Sequence, residues 1–409
     1  MRGIVAGLMC LLALGGRGAP VEGFVDARWG ERVSSDTGRE SATLREVRVQ
    51  AGQTRYLGPV DVRVKADFVY DDLDGDREEV DLDTGEGWVD LRTAWAAFRP
   101  APWMDVKVGR QVLTWGTGDL LFLNDLFPKD WRSFFVGRDV EYLKAPSDAV
   151  WAAVYPGDWT LDLVWTPEFD PDRYLTGERI SFYPDRFTPE SPLPAEVPDG
   201  SEWAARLSRV FGSVEMALYG YQGYWKSPAG FNARGRAVFP ELRVWGASVL
   251  FPAAGGLMNL EGAYYDSLED RSGTDPNIDN SEARLLAGYS REVRTDLTLG
   301  VQAYVEWLQD AAAYERNLPA GHPARDELRQ VYTVRMTQFL MKQKLTLSAF
   351  LFASPTDEDA YLRGSAEYKW TDRLATTVGA NLFAGREDST FFGQFDDNSN
   401  VYVAVRHWF

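Results

Sequence analysis

The chain of 409 residues carries a net charge of −18, which argues against a nucleic-acid partner. Its one cysteine, Cys10, lies in the N-terminal leader, so the remainder has neither a disulfide framework nor a catalytic thiol. No later segment holds eighteen consecutive apolar residues, which excludes a transmembrane helix, yet aromatic residues reach 13%, high for a soluble domain.

Met1-Arg-Gly is followed by about twelve mostly apolar residues and then by the small residues of 15–19. A positive start, a short apolar run and a small-residue end read as a secretory signal, residues 1–22, preceding one domain at 23–409. The run is too short to cross a bilayer as a helix, and Gly7-Leu8-Met9 before Cys10 does not form a lipoprotein box.

Eighteen segments of alternating polarity follow: 24–33, 42–50, 60–70, 88–98, 104–113, 149–155, 159–165, 203–211, 214–224, 242–250, 257–265, 283–292, 297–307, 331–341, 345–352, 361–370, 374–383 and 401–409. From the third connection onward, long polar connections (71–87, 114–148, 166–202, 225–241, 266–282, 308–330, 354–360, 384–400) alternate with short turns such as Gly212-Ser213. A soluble sandwich has no such parity. An all-β, up-and-down antiparallel transmembrane barrel does, with short turns on one side of the membrane and long loops on the other. The expected strand number is 18. Sixteen is the alternative, because 52–59 is long for a turn on the short side.

The strands divide into faces. In 60–70, Val60, Val62, Val64, Ala66, Phe68 and Tyr70 would meet lipid, and Asp61, Arg63, Lys65 and Asp67 would point inward. Asp90, Arg92, Asp105, Lys107, Glu306, Arg363 and Glu367 join this inner wall. Charges of both signs imply a wet interior, and barrels of this size leave an aqueous lumen. No N-terminal block remains to form a globular plug.

Two connections are unusual. Residues 71–86 hold nine acids against one arginine; such a loop is solvated or binds divalent cations non-specifically. Its 72–76 stretch alternates acids as a calcium loop does, but lacks the glycine that follows them there, so no specific metal site is expected. The connection 114–148 is rich in apolar residues, among them Trp115, Leu120, Phe122, Phe127, Trp131 and Phe135, which would be a large sticky patch in water. Packed into the lumen instead, this third outer loop would present Asp119, Asp125, Lys129, Asp130, Arg132, Arg138 and Asp139 as a pore constriction. A cap that braces the barrel without touching solute is the plainer alternative.

The last nine residues, Val401-Tyr-Val-Ala-Val-Arg-His-Trp-Phe409, form an alternating strand that stops on an aromatic residue. This end resembles the closing strand of bacterial outer-membrane β-barrels, and the inward third loop resembles that of porins. Val108-Gly-Arg-Gln and Trp115-Gly are similar to a strand end in proteobacterial porin-like proteins. The resemblance implies a cell-outer-membrane location and Phe409 as the signal read by the insertion machinery. It further implies lipid and lipopolysaccharide as surroundings, passive diffusion of small hydrophilic solutes, and a homotrimer as a possible assembly. No cofactor is implied. The rivals are a barrel hydrolase and a structural or adhesive barrel with a loop-filled pore. The hydrolase suffers from histidine poverty: of two histidines, His407 belongs to the outward face and His322 is alone in a loop.

Overall fold

The structure is a computed structural model that describes residues 17–18, 20–33, 40–73, 80–175, 177, 179–180 and 196–409. The leader and much of the acidic connection therefore lie outside the described residues. Eighteen strands form the wall: β1 Glu22–Arg32, β2 Ala42–Leu57, β3 Val60–Asp71, β4 Val89–Ala101, β5 Met104–Gln111, β6 Ser147–Val154, β7 Thr160–Thr166, β8 Glu202–Phe211 and β9 Val214–Tyr224 in the first half. The second half comprises β10 Glu241–Ala253, β11 Gly256–Ser267, β12 Glu282–Arg294, β13 Leu297–Leu308, β14 Leu328–Leu340, β15 Leu345–Ser354, β16 Asp359–Thr371, β17 Leu374–Gly385 and β18 Asn400–Trp408. Each pairs antiparallel with its neighbours, and β1 pairs with β18 through Phe24↔Trp408 to Arg32↔Asn400, so the sheet closes. Closure satisfies every edge, which is what lets a β-structure cross a membrane. No described helix is long and apolar enough to do so.

The strand count is settled by β2. It runs on to Leu57, with Gln53 opposite Val64 and Arg55 opposite Val62, leaving only Gly58 and Pro59 as the turn. The apparent long connection at 52–59 is therefore mostly strand. Gly58 has φ +66°, a conformation that the absence of Cβ allows. At Ala254-Gly255 both residues have positive φ, the twist-matched form of a two-residue hairpin turn.

Side-chain alternation follows the sequence pattern in most strands. In β18, Val401, Val403 and Val405 are exposed while Tyr402 and Ala404 are buried. In β13, Leu299, Val301 and Trp307 face out and Gln302 and Tyr304 face in. Strand β3 departs from expectation. Phe68 and Tyr70 are exposed, but Val62, Val64 and Ala66 are buried, the last two clustering with Leu91 and Ala94 against Leu82. The connection 80–88 thus folds against this part of the wall. Arg92 has no partner on β3, because Lys65 pairs with Thr93 and Ala66 with Leu91. Arg92 is thus the extra residue of a bulge, and it shares the face of Asp90, which it meets at 3.4 Å.

The exposed apolar side chains and the buried ionic ones make the barrel inside-out relative to a soluble protein. The largest apolar cluster joins inward residues such as Leu44, Val244, Tyr265, Phe352 and Tyr361 to residues 113–143 of the third long connection. That connection contains a short helix, α1 (Trp131–Phe135), and a 3-10 turn, Val140–Leu143.

Candidate functional site

The chain leaves the wall after Gln111. Gly109, with φ +119°, makes the approach possible: a Cβ there would sit 2.2 Å from the Ala94 carbonyl oxygen. The segment 112–146 is then tied to inward-facing side chains of strands on several sides. On β11, the Glu261 carboxylate accepts the backbone N–H groups of Thr117 and Gly118, the latter at 2.6 Å, and the Asn124 amide at 2.8 Å. Tyr265 on the same strand donates to the Leu123 carbonyl at 2.6 Å. On β13, Gln302 exchanges two hydrogen bonds with the Asp119 backbone, at 2.8 and 2.9 Å. On β14, Arg335 holds the Asp119 carboxylate at 2.7 Å.

The second half of the segment is fixed by ions. Arg28 on β1 donates to the Gly137 carbonyl at 2.7 Å and binds Asp139 at 2.7 Å. Arg406 on β18 reaches the other Asp139 oxygen at 2.5 Å. Arg138 pairs with Glu46 on β2. Arg363 on β16 donates to the Phe134 carbonyl at 2.6 Å. Tyr142 donates to Asp67 at 2.8 Å, and its ring lies between Arg48, at 4.5 Å, and Arg92, at 5.0 Å. Burial would raise the Asp139 carboxyl, but Arg28 and Arg406 outweigh it and hold it below its ordinary value. Asp130 is likewise held low against burial, chiefly by Arg173; it also caps α1, accepting the Ser133 N–H at 2.7 Å.

The residues expected to form a constriction divide by this geometry. Asp125 and Lys129 are buried against each other at 3.0 Å, with Lys129 over the Phe122 ring, and Asp130 is buried beside Arg173. Arg132 pairs with Glu86, and Arg138 and Asp139 grip the wall. Of the seven, Asp119 is the most exposed carboxylate among the paired ones, 37% at its side chain, facing Arg335 at 51%. The expected wall residues divide too. Asp67, Asp90, Arg92 and Arg363 are buried in contacts with the segment or with Arg173. Asp61, Lys65 and Glu367 are half-buried on the inward side; Arg63 bonds Glu22 at 2.6 Å. Lys107 lies between the Trp95 and Trp151 rings, 5.2 Å from each. Asp105 binds Arg99 and Tyr155. Glu306 holds Arg329 at 3.0 Å.

Sequence reasoning passed over Asp26, Arg28, Glu46, Arg48, Glu261 and Arg335. All are charged residues in strands, and apart from Glu46, which follows Arg45, their neighbours on the opposite face are apolar or glycine. That signal was available, because a charge at such a position must face inward.

At the outer end lies a cavity of about 990 Å³. Its lining includes the apolar groups Phe122, Leu126, Trp131, Phe391 and Phe392 and the charged groups Glu282, Arg284, Glu306, Arg325, Arg329 and Asp357. Among the described residues no cluster of histidine, cysteine and acids could hold a metal ion.

The fold and its surface define a closed, 18-stranded transmembrane β-barrel with an apolar belt outside and ionic groups within. No protein-family profile and no curated protein sequence matches the chain. Solved structures do. The crystal structure of Acinetobacter baumannii OccAB1 aligns over 95% of both chains with a TM-score of 0.56 at 9% identity. Those of Pseudomonas aeruginosa OccK3 (OpdO) and OccK11 (OpdR) align over 95% of both chains with TM-scores of 0.57 and 0.53 at 9% and 10% identity. The chain has the fold of an outer-membrane porin barrel, and at these identities the likeness is one of fold.

Proposed function

We propose that the protein is a porin of the bacterial outer membrane that passes small hydrophilic solutes by passive diffusion. In this reading the segment 112–146 lies across the lumen and narrows it. One observation carries the reading: a closed barrel turns its charges inward, and an apolar connection is hydrogen-bonded to inward side chains of β1, β2, β3, β11, β13, β14, β16 and β18. That grip from many strands of the ring supports a segment lying across the lumen.

Solute then passes beside the Asp119–Arg335 ion pair and along Arg63, Lys65 and Lys107, groups of both signs that favour neither ion class strongly. Phe409 serves the insertion machinery; its support is that it ends the closing strand with its ring exposed and exchanges backbone hydrogen bonds with Gly23. The acidic connection 71–86 gathers divalent cations against lipopolysaccharide phosphates, and the assembly is a homotrimer, which native mass in mild detergent tests. The porin-like fold supports a channel rather than an enzyme in this reading, and His407 lies exposed on the outward face of β18.

Planar-bilayer recording on the folded barrel tests the reading. Stepwise openings are expected, and deletion of residues 120–138 should enlarge the step. A barrel that never conducts would reject the porin, and an unchanged step in the deletion would reject the constriction.

A further inference from the structure

We propose that the outer cavity is a binding site for an organic cation with an aromatic or other flat apolar body, so that the channel takes up such a solute selectively. This rests on the porin reading for transport but not for binding. Its volume, about 990 Å³, is that of a site for one drug-sized molecule. A general diffusion pore has no need of a wide aromatic shelf at its mouth, because hydrophilic solutes gain nothing from it. Here Phe122, Trp131 and Phe391 offer rings, and Trp131 and Phe391 meet edge to face with centroids 6.4 Å apart.

The charged part of the lining decides the sign of the ligand. Nine carboxylates line the cavity against six lysines and arginines, an excess of three negative charges. The guanidinium groups are already engaged: Arg329 sits between Glu306, at 3.0 Å, and Asp357, at 2.5 Å, and Arg325 binds Asp279 and Glu282 at 3.2 and 3.3 Å. An anion would have to displace a carboxylate to reach an arginine, whereas a cation meets unspent negative charge. The rings also tolerate cations, since Arg329 lies 5.7 Å from the Phe391 centroid and Lys129 4.6 Å from that of Phe122. Cation–ring attraction is strongest where water is partly excluded, as in this cavity.

Calorimetry on the full-length barrel in detergent reads the binding without requiring conductance. Benzyltrimethylammonium should bind saturably, with tetramethylammonium and benzoate each at least tenfold weaker. Phe391→Ala should weaken the benzyl cation about fivefold; its ring is 42% exposed, so the fold is not at stake. Equal binding of benzoate, or no loss in Phe391→Ala, would overturn the proposal. Bilayer recording separates the two readings: a barrel that binds the cation but never conducts sinks the porin and leaves the site, and one that conducts without binding it does the reverse.

Discussion

The Tyr142 hydroxyl donates to the Asp67 carboxylate at 2.8 Å, across 75 residues of sequence. Asp67 also accepts Arg48 at 2.7 Å and Gln50 at 2.8 Å, so one buried carboxylate joins β2, β3 and the segment that precedes β6. The ring of Tyr142 completes the joint by lying between two guanidinium groups.

Tyr142→Phe keeps the ring between Arg48 and Arg92 but removes one hydrogen bond from a buried charge. It should destabilise the barrel by about 1.5–3 kcal/mol, the range for a hydrogen bond to a charged group. Tyr142→Ala also removes the ring and should cost about 3–5 kcal/mol, as large aromatic truncations do. Urea unfolding of the detergent-folded barrel, followed by tryptophan fluorescence, measures both. Equal midpoints for the two variants would mean that the ring's place between the arginines contributes nothing.

Glu261→Ala leaves the N–H groups of Thr117 and Gly118 and the Asn124 amide without their acceptor. Each group left unsatisfied costs about 1–3 kcal/mol unless water reaches it. The stretch 117–124 should loosen, with faster amide exchange there and noisier, larger single-channel currents. Exchange rates indistinguishable from the parent would show that Tyr265 and Gln302 hold the stretch unaided.

Arg335→Ala removes an exposed ion pair, so stability should change by less than about 1 kcal/mol. Asp119 then faces the lumen without its cation. The reversal potential in a salt gradient should move toward cation selectivity. A shift toward anions would contradict the location of Asp119 on the solute path.

Burial pushes the Asp170 carboxyl, in the connection after β7, up to about 6, with Glu202 and Asp148 adding to it and the Ser147 hydroxyl opposing. Its folded value lies above the unfolded one near 3.8, so the stability it contributes is complete below pH 4 and is lost as pH rises through 6. Asp170→Asn should flatten the dependence of unfolding midpoint on pH between 4 and 6. The same slope in parent and variant would assign that dependence to another group.

Gly23→Ala should fail to close the barrel, because a Cβ at that position would lie 2.0 Å from the Gln50 carbonyl oxygen and 2.9 Å from the Phe409 ring. Phe409→Ala, in contrast, keeps the backbone hydrogen bonds to Gly23 and should lower the yield of inserted protein while leaving the unfolding midpoint of the folded fraction unchanged. Heat-modifiable gel mobility scores both variants.

Much of the architecture could be read from residue order, because a strand writes its two environments at period two. Val401, Val403 and Val405 against Tyr402 and Ala404 declare an outer and an inner face without any knowledge of neighbours, and the alternation of long and short connections orients the whole wall. Local pattern failed where a neighbour intervened. Val64 and Ala66 have the alternation of lipid-facing residues, yet Leu82 packs on their cluster; nothing within 60–70 reports that. The extra residue at Arg92 is equally silent, since a bulge is a property of two strands in register.

The site was legible in kind but not in pairing. The apolar residues of 114–148 state that the connection cannot lie in water, because their exposure would be too costly. Which of its charges meet solute was decided by the tertiary structure. Asp125 and Lys129 are buried on each other, and Asp139 is held by Arg28 and Arg406, while the Asp119–Arg335 pair stays exposed. Those partners lie four to more than two hundred residues away. Sequence by itself determined the two-faced pattern of most strands, which is local; only the closed barrel, by bringing distant strands around one segment, decided which charges are buried in pairs and which stay exposed.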